Sequence, residues 1–396
     1  MPGKPFVIEH STGRKNPFLR GILVQSLVTA GISFQDAYDV ARHIRERLDA
    51  QEGPLDTQHL RQLVAEELER RFGAVVRRLY EAEGQRDRPL LIHKNGRVEP
   101  FSIGVLTRYL EGCGIPHQDA AKGARLVHDH LRSRSEAMIE RESLRRIIYE
   151  TLNQDCCHGA ADRFLSRCRF NDSGEPLIIL IGGTTGAGKS TVAAQLAYLL
   201  DIVRTQSTDM MREIIRSYLV PHVAPTLDFS SFDAWRGLPH AGESSGDDPI
   251  ITGFLSQFGI VRVALEATIQ RAVKERQHLI VDGVHVLPSH LDLEAIRHKA
   301  ILAPLMIAVT TRTHLDDHLV QRSREQPDRD SAHHREMLDA IWQLQSFLVD
   351  QAEKAGVPVI ANWDPEETLA SIMEEINARI RERFPPDPQA MGWCDS

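Results

Sequence analysis

Short apolar runs alternate with amphipathic stretches over the second half of the chain. The clearest run, residues 177–181, follows the turn-rich segment 171–176. A short apolar run bounded by turn formers is typical of a strand buried on both faces of a parallel sheet. Similar runs occur at residues 279–282, 305–309 and 357–360, with helical patterns between them. The alternation predicts an α/β fold with a doubly wound parallel sheet.

The first half of the chain contains an internal repeat. When the sequence is shifted by 83 residues, residues 13–48 align with residues 96–131, and Gly31 aligns with Gly114. Each copy reads as a short strand, a turn, a second extended piece and several amphipathic helices, with the glycine at a helix C-terminus. The repeat favours two mainly α-helical modules, with or without a ligand. The predicted domains are residues 1–86, 87–170 and 171–385, followed by a tail at 386–396.

Composition narrows the class of protein. The 396 residues are 42% hydrophobic and 26% charged, which is ordinary for a globular protein of several domains. The net charge of −8 argues against non-specific nucleic-acid binding. No membrane span or signal peptide is expected. Five irregularly spaced cysteines fit a reducing cytoplasm and no common zinc module. The sequence leaves the oligomeric state open, and a homo-oligomer is one of the possibilities.

A phosphate-binding loop directly follows the first apolar run. The pattern G-x-x-x-x-G-K-[ST] is complete, and helical spacing follows it. Glycines let the backbone wrap around phosphate oxygens, and the helix N-terminus favours an anion. The residues expected to bind ATP are Gly183, Thr184, Thr185, Gly186, Ala187, Gly188, Lys189, Ser190 and Thr191.

Two of the candidate residues have the chemistry of magnesium ligands. The Ser190 hydroxyl belongs to the loop, and Asp282 ends the apolar run 279–282, as in a Walker B strand. Asp282 could otherwise be an exposed carboxylate at a strand end. Lys189 is expected to contact the β- and γ-phosphates and to act in catalysis.

Candidate acceptor-side residues lie between these motifs. Asp209 begins a helix and is either a plain N-cap or the group that accepts the substrate's hydroxyl proton. Arg212, one turn later, is expected to bind an anionic substrate. Ser230 and Ser231 either bind substrate or form an ordinary turn. His285 follows Asp282 closely and either binds substrate or fills a capping role.

The segment 310–335 is rich in arginine. Small P-loop kinases close a lid whose arginines neutralise the transferring phosphoryl group. Arg322 and Arg324 are the predicted catalytic lid residues, the alternative being a solvated charged helix.

Each repeat copy resembles the ATP-cone domain, a nucleotide-binding regulatory module. The second copy carries Lys94-Asn95-Gly96-Arg97-Val98-Glu99-Pro100-Phe101, similar to the cone hairpin. The resemblance implies that Lys94 and Arg97 bind a regulatory nucleotide. The first copy departs from the pattern, with Glu9 and His10 before its turn.

The remaining chain resembles the 2-phosphoglycerate kinase family of P-loop kinases. The similar segments are 182–191, 208–213, 230–232, the Gly283-Val284-His285 turn and Asn362. The resemblance implies phosphorylation of 2-phosphoglycerate by ATP with Mg²⁺. A kinase for a nucleoside or sugar acid stays open, as does a nucleotide-sensing regulator, although the cone-linked zinc ribbon is absent. The expected partner is a small phosphorylated or anionic substrate, with no nucleic acid and no membrane.

Overall fold

The computed structural model describes residues 6–8, 15–29, 32–49, 55–78, 80, 90–94, 97–134, 138–220, 222–239, 248–325 and 337–392. The chain divides into two compact units. The first comprises Met1–Phe101 and His130–Glu140, and the second comprises Ser102–Asp129 and Arg141–Ser396. These units are not the same as the predicted domains, whose boundaries stay predictions.

The two repeat copies have the same order of elements. In each, one strand pairs antiparallel with the next strand and parallel with a third, two helices precede the third strand, and a helix follows it. The first copy consists of β1 (Phe6–Ile8), β2 (Lys15–Pro17), α1 (Arg20–Thr29), α2 (Phe34–Asp49), β3 (Leu55–Asp56) and α3 (Thr57–Phe72). The second consists of β4 (Leu91–Lys94), β5 (Arg97–Pro100), α4 (Ile103–Gly112), α5 (His117–Ser133), β6 (Met138–Glu140) and α6 (Arg141–Asp155).

Equivalent apolar positions of the two copies are buried. The pairs are Leu23 and Leu106, Leu27 and Leu110, Ala41 and Ala124, Leu48 and Leu131, and Leu68 and Leu152. Gly114 follows α4 with a φ of 77°, as expected of a glycine just past a helix end. The predicted repeat is therefore confirmed as a repeat of fold.

The second unit contains a parallel sheet of five strands among the described residues, in the order β11-β10-β7-β9-β8. The strands are β7 (Leu177–Gly182), β8 (Thr205–Ser207), β9 (Leu279–Asp282), β10 (Ile301–Ala308) and β11 (Val359–Ala361). The helices are α7 (Ala160–Ser173), α8 (Lys189–Leu200), α9 (Thr208–Tyr218), α10 (Pro249–Lys274), α11 (Arg312–Glu325), α12 (Leu338–Lys354) and α13 (Pro365–Arg383).

The centre of this sheet is covered on both faces, because every residue of β7 and β9 is buried. From β7 the chain goes to the edge strand β8, returns to β9, and then crosses to β10 and β11 on the other side. Ligands of such sheets bind beyond the carboxyl ends of the strands, where the strand order reverses. The predicted α/β class with a doubly wound sheet is confirmed, and β7 lies at its reversal point.

Two local predictions need correction. The first part of the predicted turn-rich segment, residues 171–173, is the end of α7, because Asp172 receives two hydrogen bonds from Arg145 of α6 and the helix stops only at Gly174, whose φ is 66°. β10 begins at Ile301 and continues through Pro304. Its neighbour β11 pairs only with Met306–Ala308, so the missing N–H of Pro304 costs no ladder bond on that side.

Helix α10 is long and apolar enough to cross a membrane by length and composition alone. Its residues Phe254, Phe258, Val261 and Leu265 belong to the buried core of the second unit. A core helix with one buried apolar stripe meets the same criteria of length and composition.

Candidate active site

The phosphate loop connects the end of β7 to the start of α8. Gly183, Gly186 and Gly188 have φ values of 143°, 83° and 85°, a backbone region that residues other than glycine rarely adopt. A Cβ atom at Gly183 would strike the carbonyl of Ile307, and one at Gly188 would strike the amide of Asn362. The loop therefore needs glycine at these positions both for its conformation and for its close packing.

The charged and hydroxyl groups of the loop converge as ATP and Mg²⁺ require. Lys189 donates a hydrogen bond from Nζ to Thr184 O at 2.6 Å, which holds the ammonium over the loop. The Ser190 hydroxyl donates to Asp282 Oδ2 at 2.8 Å. A hydroxyl beside a carboxylate at the edge of a phosphate loop is a suitable ligand pair for Mg²⁺. These residues fit a magnesium-bound nucleotide.

The electrostatics of Asp282 point to a cation. Burial raises the pKa of this carboxyl above its ordinary value, and the nearby Asp209 carboxylate raises it further. The Ser190 hydrogen bond and Lys189 lower the same pKa, but burial is the largest effect. A divalent cation would stabilise the ionised form that burial disfavours.

Residues from distant parts of the chain brace the loop. Asn362, which follows β11, donates from Nδ2 to Ala187 O at 2.9 Å and accepts a hydrogen bond from Thr368. His318 of α11 donates from Nδ1 to Gly186 O at 2.9 Å. No sequence pattern marked His318 as a loop contact, although its neighbours on α11, Leu315 and Leu319, are buried apolar residues.

Asp209 lies at the same edge of the sheet as Asp282. The strand register places Ser207 beside Asp282, so α9 starts next to the candidate magnesium ligands. Ser207 is the N-cap of α9, because its hydroxyl accepts the Asp209 N–H at 3.2 Å. The plain-cap interpretation of Asp209 is therefore wrong, and its carboxylate is exposed in the first turn.

Arg212 and His285 were predicted to bind substrate, but both make hydrogen bonds within the protein. Arg212 donates from Nη1 to the carbonyls of Leu227 and Phe229, at 3.0 and 2.6 Å. His285 is fully buried, and both of its ring nitrogens have hydrogen-bond partners. Ser230 is half-buried, and Ser231 is buried just after the segment that Arg212 holds.

The remaining predicted site residues are less fully described. Arg322 and Arg324 belong to α11, but their side chains lie outside the described part of the structure, and so does that of Lys94 in β4. Arg97 is exposed in β5, opposite Lys94 in the strand register. Thr185 lies in the loop and Thr191 is exposed in the first turn of α8.

The fold and the loop define a P-loop protein, and its similarity to known kinases makes it a phosphotransferase that acts on a hydroxyl group. Residues 161–229 match the family model described as Zeta toxin. The 2-phosphoglycerate kinase of Pyrococcus horikoshii is 35% identical over 287 residues, which cover 72% of this chain and 93% of that protein. That of Methanopyrus kandleri is 32% identical over 71% of this chain and 85% of that protein. The chain belongs to the 2-phosphoglycerate kinase family.

Proposed function

We propose that this protein transfers the γ-phosphoryl group of ATP to the 3-hydroxyl of 2-phosphoglycerate and forms 2,3-bisphosphoglycerate. The observation that carries the proposal is the meeting of the phosphate loop, the Ser190–Asp282 pair and Asp209 at one sheet edge. The similarity to 2-phosphoglycerate kinases, which covers 93% of the Pyrococcus horikoshii protein, supports the choice of acceptor.

Each residue at this edge has a proposed task. The loop N–H groups and Lys189 bind the β- and γ-phosphates and stabilise the charge that develops during transfer. Ser190 and Asp282 hold Mg²⁺, which screens the phosphate charges when bound. Asp209 accepts the proton of the acceptor hydroxyl as its oxygen bonds to phosphorus and ADP leaves. Arg322 and Arg324 approach from α11 as the lid closes.

Substrate recognition is proposed to centre on Ser230 and Ser231. Arg212 and His285 act on this region through the hydrogen bonds that fix it, because both Nη atoms of Arg212 and both ring nitrogens of His285 are already engaged. ATP and Mg²⁺ are the proposed cofactors, and the cytoplasm, where ATP is available, is the proposed location.

The test is an acceptor screen with the purified full-length protein, ATP and Mg²⁺. We expect ADP release with 2-phosphoglycerate and a new phosphomonoester at the 3-position by ³¹P NMR. Glycerate, 3-phosphoglycerate, nucleosides and sugar acids are the comparison acceptors. Faster turnover with a nucleoside or sugar acid would contradict the proposed acceptor and leave the kinase class intact.

We also propose that the second repeat copy is an ATP-cone that binds a regulatory nucleotide through Lys94 and Arg97. The paired strands β4 and β5 bring these two positions opposite each other. Two cations at one hairpin suit a triphosphate.

A further inference from the structure

A buried side chain outside the predicted site connects three segments of the acceptor side. Gln257 of α10 is fully buried. Its Nε2 donates to Thr226 O at 2.6 Å and to Phe229 O at 3.0 Å. Its Oε1 lies 2.9 Å from Nε2 of His285.

These contacts fix the direction of every hydrogen bond in the group. Both amide hydrogens of Gln257 go to carbonyl oxygens, which only accept, so the opposite oxygen must accept from His285 Nε2–H. The neutral imidazole then has its acceptor at Nδ1, which lies 3.2 Å from the Thr208 hydroxyl. Burial lowers the pKa of His285 to about 4, which keeps the ring neutral near pH 7.

One end of this group holds the segment that carries the two serines. Residues Pro225–Asp228 form a short 3₁₀ helix, and the last carbonyls of such a helix lack partners within it. Gln257 and Arg212 supply those partners, and both donate to Phe229 O. Phe229 directly precedes Ser230 and Ser231, so the two hydrogen bonds to its carbonyl oxygen fix the backbone from which the two serines continue.

The other end of this group holds the start of α9. Thr208 is fully buried and immediately precedes Asp209. Gly283 packs so closely that a Cβ there would strike Thr208 Oγ1. The position of Thr208 is therefore fixed from two sides, by the glycine and by the imidazole.

We propose that Gln257 is a positioning residue of the acceptor site, which holds Ser230–Ser231 on one side and, through His285 and Thr208, Asp209 on the other. The proposal rests on the proposed kinase function. A primary amide is the one side-chain group of this size that offers two donors and an acceptor, and all three are used here. Substitution leaves buried carbonyls unsatisfied and lets both segments shift.

The experiment compares Gln257→Met with a matched control, Gln345→Met. Gln345 is also a buried glutamine with two backbone hydrogen bonds, both to Val309, at 2.9 Å. We expect Gln257→Met to raise the KM for 2-phosphoglycerate at least about tenfold while the KM for ATP stays within about twofold. Gln345→Met should lower Tm by about as much as Gln257→Met does, but it should not raise the KM for 2-phosphoglycerate selectively. A parallel change of both KM values in both variants would overturn the proposal.

A second variant and a substrate-free measurement cover the other outcomes. Gln257→Glu keeps the acceptor toward His285 but loses donors, so its acceptor KM should lie between wild type and Gln257→Met. If Gln257→Met does not fold, the comparison is made with Gln257→Glu, and an unchanged acceptor KM in that variant overturns the proposal. In ¹⁵N NMR of the wild-type protein, His285 should carry its proton on Nε2 and not on Nδ1 at pH 7. The opposite tautomer would overturn the hydrogen-bond assignment whatever the substrate.

The two proposals fail in different ways. If wild type prefers another acceptor, the proposed substrate fails, and the same selective rise in KM is expected for that acceptor. If wild type phosphorylates no acceptor, the proposed function fails. The NMR measurement of the His285 tautomer still tests the hydrogen-bond assignment around Gln257.

Discussion

Asp282 shows how a single carboxylate depends on its surroundings. It is nearly buried, it accepts the Ser190 hydroxyl, and its pKa is raised chiefly by burial. The sequence predicted its place at the end of a buried strand, because an apolar run ending in Asp is a local pattern. The contact with Ser190, 92 residues away, needed the sheet to form.

Replacing Lys189 should disable transfer. Lys189→Ala removes the cation that the loop holds through Thr184, and we expect the rate to fall at least about a hundredfold. Steady-state ADP release measures the effect. Lys274→Ala, at the exposed end of α10, is the control and should be neutral. Turnover within tenfold of wild type would mean that Lys189 does not act on the phosphates.

Asp209→Asn isolates the proposed proton acceptor. The N-cap is Ser207, so α9 should keep its start and ATP should still bind. Transfer to the acceptor should fall at least about a hundredfold, because an amide cannot take the proton. Nucleotide binding by calorimetry and turnover are measured together, with the exposed Asp350→Asn as control. Undiminished turnover would remove Asp209 from the mechanism.

The buried histidines predict how stability depends on pH. Burial lowers the folded-state pKa of His285 to about 4 and also lowers that of His278. Between pH 4 and 6.5 the unfolded chain binds more protons, so these residues make the free energy of unfolding fall as pH falls through that window. The slope from His285 alone is at most about 1.4 kcal/mol per pH unit. Denaturant unfolding from pH 7 to 5 checks the sign, and a rise in stability on acidification would contradict it.

Among the elements, α4 packs against the phosphate-loop helix α8. Arg108 of α4 lies 4.9 Å from the ring centre of Tyr198 and 3.8 Å from Asp201. A Cβ at Gly112 would lie 3.0 Å from the carbonyl of Leu199. The contact leaves no room for a side chain between the two helices.

Two glycines of α4 give a matched pair of substitutions. Gly112→Ala should lower Tm, because the new methyl group presses on the backbone of α8. Gly104→Ala should raise Tm slightly, since its Cβ would meet only Ser102 Oγ at 3.9 Å and alanine favours helix by about 1 kcal/mol. Thermal unfolding distinguishes them, and equal shifts would show that α4 does not pack tightly on α8.

The hairpin β4–β5 allows a test of nucleotide regulation in the full-length protein. With Lys189→Ala to weaken the phosphate loop, the remaining ATP binding should be reduced by adding Arg97→Ala. Calorimetry with ATP measures the loss. The exposed Arg134→Ala is the control. If Arg97→Ala leaves binding unchanged, the hairpin does not hold the nucleotide.

Local patterns predicted more of the elements than of the contacts between them. The strands around the loop were found because buried parallel strands leave short apolar runs. Pro304 hid the first half of β10, since a proline usually marks a strand end. Gln257, His318 and Asn362 were not predicted in their roles, because each acts on backbone atoms that only folding brings near.

At the scale of the molecule, the relatives are shorter than this chain. The Pyrococcus horikoshii protein is covered over 93% of its length, yet 28% of this chain lies outside the match. The part outside the match is 109 of 396 residues, which is more than the 83 residues after which the repeat recurs. The residues outside the match are therefore enough for one whole repeat copy.

The packing of the second copy places part of it in the unit that contains the parallel sheet. Arg163 donates to Gly114 O at 2.6 Å. Asn377, which belongs to α13 near the end of the sequence, lies against Gly114. Residues 102–129 therefore share one compact unit with the sheet. Replacing these residues with those of a foreign copy would disrupt an interior that they share with the sheet, whereas the first copy contributes none of its residues to that unit.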